Sequence, residues 1–414
     1  NPALAALRPE SPSNSEDGSN IPFNRMEFRS NNEGKIIFDK DALAFINRLL
    51  PRIHIPTWIQ RALPILGKAS FGSLKADKWR NLFTVQLPLI LPVYWATGRP
   101  VARSLFRNFA HLVSMVKLAL KRSINLETVE MYRKHTLEYL QSCRLLFPNV
   151  NLAPNHHMSI HLTEGMENMG PSRSKLKITF LTNFCRLANL QAVLSAPERF
   201  PADLQPYLRQ LKSLFEESLC EDKIIPKSRQ GFLDSSALKV LIRRLNKLFP
   251  CPTGATWITS NAWDKKREAE SAKFLSVTSR IENLSTCEIN KVNFSTYREN
   301  PSNSVIVLRA NCAPQYGIIE QIFRHTRILG NGTSAANTWL AVQPLLPCNF
   351  PNPFAGQPDF ELNVELRTFQ TNTDTLYVNH PTEVLAHCSF IKYKPSEILP
   401  SIKKECIAVV SLER

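Results

Sequence analysis

The sequence predicts an α+β fold, a largely helical body followed by a small antiparallel β-barrel or sandwich. Three observations carry that reading. From Lys40 to about Phe249, apolar residues recur with the helical period. Over about 286–395, short β-branched and aromatic runs alternate with turn residues such as "GNG", "PNP" and "NHP". Glycine is scarce, 13 of 414 residues, and neither GxGxxG nor GxxxxGK[ST] occurs, which argues against a nucleotide-binding enzyme.

Taken in order, residues 1–35 are polar and Pro/Ser-rich around "RPESPSNSEDGSN" and read as a disordered tail. Residues 36–250 form the helical region. Its most apolar run, "LFTVQLPLILPVYW" (82–95), is too short to span a bilayer and is interrupted by Gln86, Pro88 and Pro92. It reads as a buried helix–turn segment, and no membrane partner is expected. Phe106, Phe109, Val113, Val116 and Leu120 share one helical stripe, as do Val129, Tyr132, Thr136, Leu140, Cys143 and Phe147, with Pro148 ending the second helix. A third helix follows Pro201 with Leu204, Leu208, Leu211, Phe215 and Leu219. A fourth begins at a cap, Asp234 or Ser235, buries Leu238, Leu241, Leu245, Leu248 and Phe249, and stops at Pro250. Residues 251–285, with "DKKREAESAKF", read as a charged linker, 286–395 as the β-rich domain, and 396–414 as a C-terminal tail. The nine cysteines are dispersed, with no CxxC pair. That pattern suits reduced intracellular thiols and fails the spacing of a zinc finger.

The net charge of +16 is unevenly placed. Residues 286–414 balance 11 Lys/Arg against 11 Asp/Glu, whereas residues 52–134 hold 14 Lys/Arg and three acids. Such a patch attracts polyanions, nucleic acid first. The expected phosphate contacts are Lys75, Lys78, Arg80, Arg99, Arg103, Arg107, Lys117, Lys121 and Arg122. Arg99, Arg103 and Arg107 recur every four residues, so a helix presents them in one row.

"GSLKADKWRNLFTVQLPLIL" (72–91), "PNHHMSIHL" (154–162), "GP" (170–171) and "TFLTNFCRLANLQAVL" (179–194) stand in this order, followed by "NSVIVLRA", "YGIIEQIFRHTR", "NPF" and "EVLAH". Together they resemble the C-terminal half of CACTA-type (En/Spm-like) DNA transposases, in the branch abundant in mushroom-forming fungi. The resemblance covers most of residues 40–395. It implies a body derived from the insertion and C-terminal part of an RNase H-like core, whose intact members hold two metal ions on three carboxylates. It also implies a nuclear location. In the family, "GP" leads into a tryptophan-containing segment and an F-E-R-x-N-G stretch. Here Gly170-Pro171-Ser172-Arg173-Ser174 runs directly into Lys175-Leu176-Lys177, and the upstream half with the aspartates is missing. The expectation is therefore a truncated, catalytically inactive protein with no catalytic residues, no cofactor and residual DNA affinity. A form that retained the missing segments would be an active Mg²⁺-dependent nuclease.

His157 and His161 lie four apart and suit a metal if a third ligand, Glu164 or His156, joins them. Otherwise they cap a helix or hydrogen-bond within its core. Asp77 caps its helix, pairs with Lys75, Lys78 or Arg80, or serves as an acidic ligand. Trp79 is expected to be buried at the start of its helix. Tyr316, Phe323, Trp339, Phe354 and Phe390 would line a barrel that takes a chromatin or protein partner, or form an ordinary core.

Overall fold

The computed structural model describes residues 40–62, 65–66, 75–95, 100–121, 123–148, 154–169, 205, 228–251, 254–266, 273–354, 360–370 and 376–413. The helix expected after Pro201 lies outside them, save Gln205, as do the "GP" and "TFLTNF" motifs and the 1–35 tail. The described residues mix helices with a large antiparallel sheet, an α+β fold. They fall into two compact units, one within 115–225 and the other within 12–114 and 226–414.

The first unit takes the end of α4 (Pro100–Ala119), α5 (Leu126–Leu146) and α6 (Pro154–Met169). Asn125 caps α5 by accepting from Thr128 N at 2.8 Å. The stripe read from the sequence is buried at Val129, Tyr132, Thr136, Leu140 and Cys143, and the helix ends two residues before Pro148. Leu118, Val129, Tyr132 and Met166 form its core, and the Tyr132 hydroxyl donates to Ser159 O at 2.8 Å.

In the second unit, the helical arm and the β region are one body. α1 (Lys40–Leu49) leads through a 3₁₀ turn into an extended stretch. There His54 exchanges both main-chain hydrogen bonds with Phe390, at 2.8 and 3.0 Å. Arg52 donates to both oxygens of Glu397 and, at 2.6 Å, to Lys392 O. α2 (Ala76–Asn81), a buried run of π and 3₁₀ turns over 82–89, and α3 (Leu91–Trp95) follow, confirming the 82–95 segment as buried. Tyr393 closes the contact by donating to Leu89 O at 2.6 Å.

Thirteen strands are described. β1 (Ser228–Phe232) precedes α7 (Ser235–Leu248), capped as expected by Asp234, which accepts from Ala237 N at 2.8 Å. β2 (Thr256–Thr259) and β3 (Phe274–Val277) pair in parallel around the short α8 (Ser260–Trp263). β4 (Arg280–Leu284), β5 (Thr286–Ile289), β6 (Val292–Ser295), β7 (Val305–Leu308), β8 (Tyr316–Ile328), β9 (Ser334–Pro347), β10 (Val364–Phe369), β11 (Tyr377–Asn379), β12 (Val384–Tyr393) and β13 (Cys406–Ser411) complete the set. Nine strands form one sheet in the order β1-β4-β8-β7-β12-β13-β10-β9-β11, with β8 also paired to β9. The pairings close on themselves, since β7–β8–β9–β10–β13–β12 returns to β7, every step antiparallel.

Alternate residues along these strands serve different cores. Val305, Val307, Tyr316, Ile318, Leu345, Cys388, Phe390, Ile407 and Val409 form one cluster, with Phe369 packed against it, so all six strands of the circuit contribute. Their neighbours Ile306, Leu308 and Ile319 belong to a second cluster with Phe294 and Leu340. A third seats α7 on Phe323, Trp339 and Trp257. Gly317 on β8 is needed for one close approach: a Cβ there would overlap Val342 Cγ1 and sit 2.8 Å from Gln343 O. Gly317→Ala should cost about 2 kcal/mol in a denaturant titration, as overpacking does; a change below ~0.5 kcal/mol would show that the strands give way.

These boundaries differ from those read off the sequence. The charged 251–285 span carries β2, β3 and β4, and β4 joins the large sheet through β8. The 396–414 tail carries β13, which lies between β12 and β10. Residues 40–114, assigned to the helical body, pack with the β region. The physical reason is that a short apolar run such as "CIAVVSL" needs partners on both sides, which a local composition count does not see.

Candidate nucleic-acid interface

The predicted phosphate contacts divide between the units. Lys75, Lys78 and Arg80 lie on or beside α2, with Arg103 and Arg107 on α4, all in the second unit; Lys117 and Lys121 belong to the first. Arg99 and Arg122 lie outside the described residues. From Lys75 to Lys121 the sequence has eight cations and a single acid, Asp77. That acid pairs with Arg80 at 3.4 Å and is largely exposed.

Aromatic packing positions these helices. Trp79 lies 5.5 Å from Phe83, Phe83 6.2 Å from Phe109, and Trp95 about 6 Å from both Phe109 and Phe106. The ladder leads from α2 through the turns and α3 to α4. Phe106 and Phe109 are buried, as their stripe predicted, together with Ser104, Leu105, Asn108, Ala110 and His111. What remains outward on that part of α4 includes the Arg103–Arg107 row, with Arg103 exposed and Arg107 half-buried. Trp79, expected to be buried, is instead 46% exposed. Helix α2 is only six residues long and offers one sheltered edge, taken by Asn81, which donates to Gln60 O at 3.0 Å.

Other cations of the basic span are committed to the fold. Arg52 is bound to Glu397 and Lys392 O, Arg61 to the carbonyls of Leu50 and Ile53, and Arg133 to Glu130 and Glu167. These three add to the charge count of the span without adding to an outward patch.

The histidine pair is placed as the spacing requires, on one face of α6. His157 Nε2 and His161 Nε2 are 3.0 Å apart, and Glu164 approaches His161 Nδ1 only to 3.8 Å. His157 is exposed, so the alternative of hydrogen bonding within a helical core does not apply to it. Among the described residues no group of three or more His, Cys, Asp or Glu could hold a metal. Asp77 faces the Arg80 guanidinium, one of the pairings expected for it.

The five aromatics named from the sequence, Tyr316, Phe323, Trp339, Phe354 and Phe390, are all buried and form core. Of these, Tyr316 has the Arg367 guanidinium 4.5 Å from its ring centroid, and elsewhere one cation, Lys392, lies over two half-buried rings, Tyr297 and Phe369, which no local motif marked. No described helix is long and apolar enough to cross a membrane. Neither a family model, nor a curated protein, nor a solved structure matches the chain.

Proposed function

We propose that the chain is a transposase-derived protein, derived from the insertion and C-terminal part of an RNase H-like enzyme, that binds DNA through phosphate contacts without cleaving it. The observation that supports this reading most is the second unit's run of cations on and beside α2 and on α4, of which Lys75, Arg80 and Arg103 are exposed, with one acid among them and an aromatic ladder fixing the two helices. Lys and Arg on rigid helices suit sequence-tolerant binding, since phosphates carry no base identity. The absence of the F-E-R-x-N-G stretch after Ser174 supports the loss of catalysis, because Mg²⁺ is positioned for strand cleavage only by a set of acidic ligands. A nuclear location and a DNA partner follow from the same proposal.

The test is charge reversal in the full chain. Lys78→Glu, Arg103→Glu and Arg107→Glu together should weaken binding to two duplexes of unrelated sequence by the same factor, about 100-fold or more at low salt. Loss on one duplex alone would mean base readout, and no loss would put the footprint elsewhere. Nicking of either duplex that requires Mg²⁺ or Mn²⁺ would overturn the catalytic half of the proposal.

A second reading has its own observation. The closed circuit of six antiparallel strands, with one apolar cluster fed by all of them, supports a small β-barrel serving as a partner-binding module for chromatin or protein.

A further inference from the structure

We propose that one mouth of this circuit is a binding site for an alkylated ammonium group, and that Lys392 fills it as a built-in stand-in. The Lys392 Nζ lies 4.7 Å from the centroid of the Tyr297 ring and 4.8 Å from that of Phe369. Both distances are within the ~6 Å at which a cation is drawn to a ring face. The inference rests on the barrel reading and is independent of DNA binding.

The fold assembles this cage from separate strands. β8, β10 and β12 run in the same direction, each separated from the next by an antiparallel neighbour. Lys392 comes two residues after Phe390 on β12, Phe369 ends β10, and both Phe369 and Tyr297 pack on the cluster that Phe390 enters. Tyr297 is anchored by its N–H, which donates to Ile319 O at 2.8 Å. Immediately after Ile319 the β8–β9 register slips, and Glu320 is the extra residue. A bulge of this kind re-aims a side chain. Glu320 is an exposed residue whose carboxyl pKa is raised, by its partial burial first, with the Lys392 charge opposing.

The other charges facing Lys392 belong to the helical arm. His54 stacks on Phe390 at 4.6 Å; burial first, then the Lys392 and Arg61 charges, favour its neutral form. The Arg52 guanidinium donates to Lys392 O at 2.6 Å, which holds the main chain in place and leaves the side chain to move. Tyr297, Phe369 and Lys392 are each half-buried, so a ligand reaches the rings from solvent.

Two aromatic faces with a carboxylate nearby suit a cation that keeps its charge but sheds water easily. Methylation of an ammonium does that, and ring faces then compete better with solvent. The cation has two sources, a methylated lysine side chain in a peptide and a free small quaternary ammonium. Because Lys392 is tethered, it competes at an effective concentration of order millimolar. Wild-type affinity is therefore weak, and removing the tether reveals the site.

The experiment uses the full chain with calorimetry and NMR of labelled tyrosine. Wild type and Lys392→Ala are titrated with tetramethylammonium and with a peptide carrying trimethyllysine or unmodified lysine. Lys392→Ala should bind tetramethylammonium about tenfold more tightly than wild type. Tyr297→Phe in that background should retain binding and Tyr297→Ala should lose it. Preference for the trimethyllysine peptide over tetramethylammonium assigns the peptide source; equal affinity assigns the small cation. Binding that survives Tyr297→Ala, or equal affinity for the methylated and unmethylated peptides, overturns the proposal. Amide exchange on the same samples separates the failures. Unprotected amides over Val305–Leu308 sink the barrel and the cage together, whereas protected amides without binding sink the cage alone.

Discussion

Lowering the pH from 7 to 4.5 is expected to cost the folded protein about 2.5 kcal/mol at His387 alone. This side chain is 2% exposed and joins three segments. Its Nδ1 accepts from Trp58 Nε1 at 3.2 Å, its Nε2 is 3.2 Å from Asn303 O, and its ring stacks on Phe294 at 3.6 Å. A neutral ring with the proton on Nε2 satisfies both bonds, and a second proton on Nδ1 would point at the indole N–H. Burial accordingly pushes the His387 pKa down to about 4, with the Asn303 carbonyl opposing. The folded value lies below the ordinary value of 6.5. The contribution is thus fully present above pH 6.5 and is lost as pH falls toward the folded value. His54, His325 and His380 are shifted in the same direction by burial, so the wild-type curve includes them. His387→Gln isolates the one site. It should be less stable than wild type at pH 7 and lose about 2.5 kcal/mol less between pH 7 and 4.5 in denaturant titrations. Parallel curves would contradict the assignment.

Replacing Glu383 with glutamine should destabilise the fold by about 3 kcal/mol, the cost of stranding one member of a largely buried ion pair. The Glu383 carboxylate accepts from Arg244 Nη2, from Asn379 Nδ2 at 3.1 Å and from His380 N at 3.0 Å. It also lies 3.5 Å from the Cys312 thiol. One side chain thus ties α7, the end of β11 and the loop after β7. Burial raises the Glu383 pKa, and these donors more than reverse it, holding the group below its ordinary value. A glutamine amide in its place would turn an N–H₂ toward donors and leave Arg244 without its partner. The double variant Glu383→Gln with Arg244→Met should recover at least half of the loss, because no charge is then left buried. Thermal and denaturant unfolding read this directly. A single-variant effect below ~0.5 kcal/mol would mean that water replaces the carboxylate.

Signals that act within a turn or two of chain are the legible part of the sequence. The stripe through Val129, Tyr132 and Leu140, the Asp234 cap and the stops near Pro148 and Pro250 depend on neighbours within a turn or two. The Asp77–Arg80 pair was among the expected partners for the same reason. The partnership of the arm with the β region was not legible. Arg52 finds Glu397, His54 finds Phe390 and Tyr393 finds Leu89 across about 300 residues of chain, and no periodicity encodes such pairs. β13 pairs with the strand just before it, β12, but its place inside the sheet depends on β10, a neighbour set by sheet closure rather than by adjacency, which the sequence does not show. The candidate site was half legible. Composition found the basic span, but it could not separate Arg52, Arg61 and Arg133, which are bound to other groups of the fold, from Arg103 and Lys75, which are exposed. It also favoured burial for Trp79, because the short, one-edged α2 cannot be told from a longer amphipathic helix by its residues alone.

The salt dependence of DNA binding by the full chain tests the central claim most directly. Five described cations of the second unit, Lys75, Lys78, Arg80, Arg103 and Arg107, are assigned to phosphates. With that many neutralised, log K against log salt should be linear with a slope of about −4.5, nearly the same for duplexes of unrelated sequence. An affinity that stays flat as salt rises, or no binding at low salt, would contradict the assignment of this face to DNA.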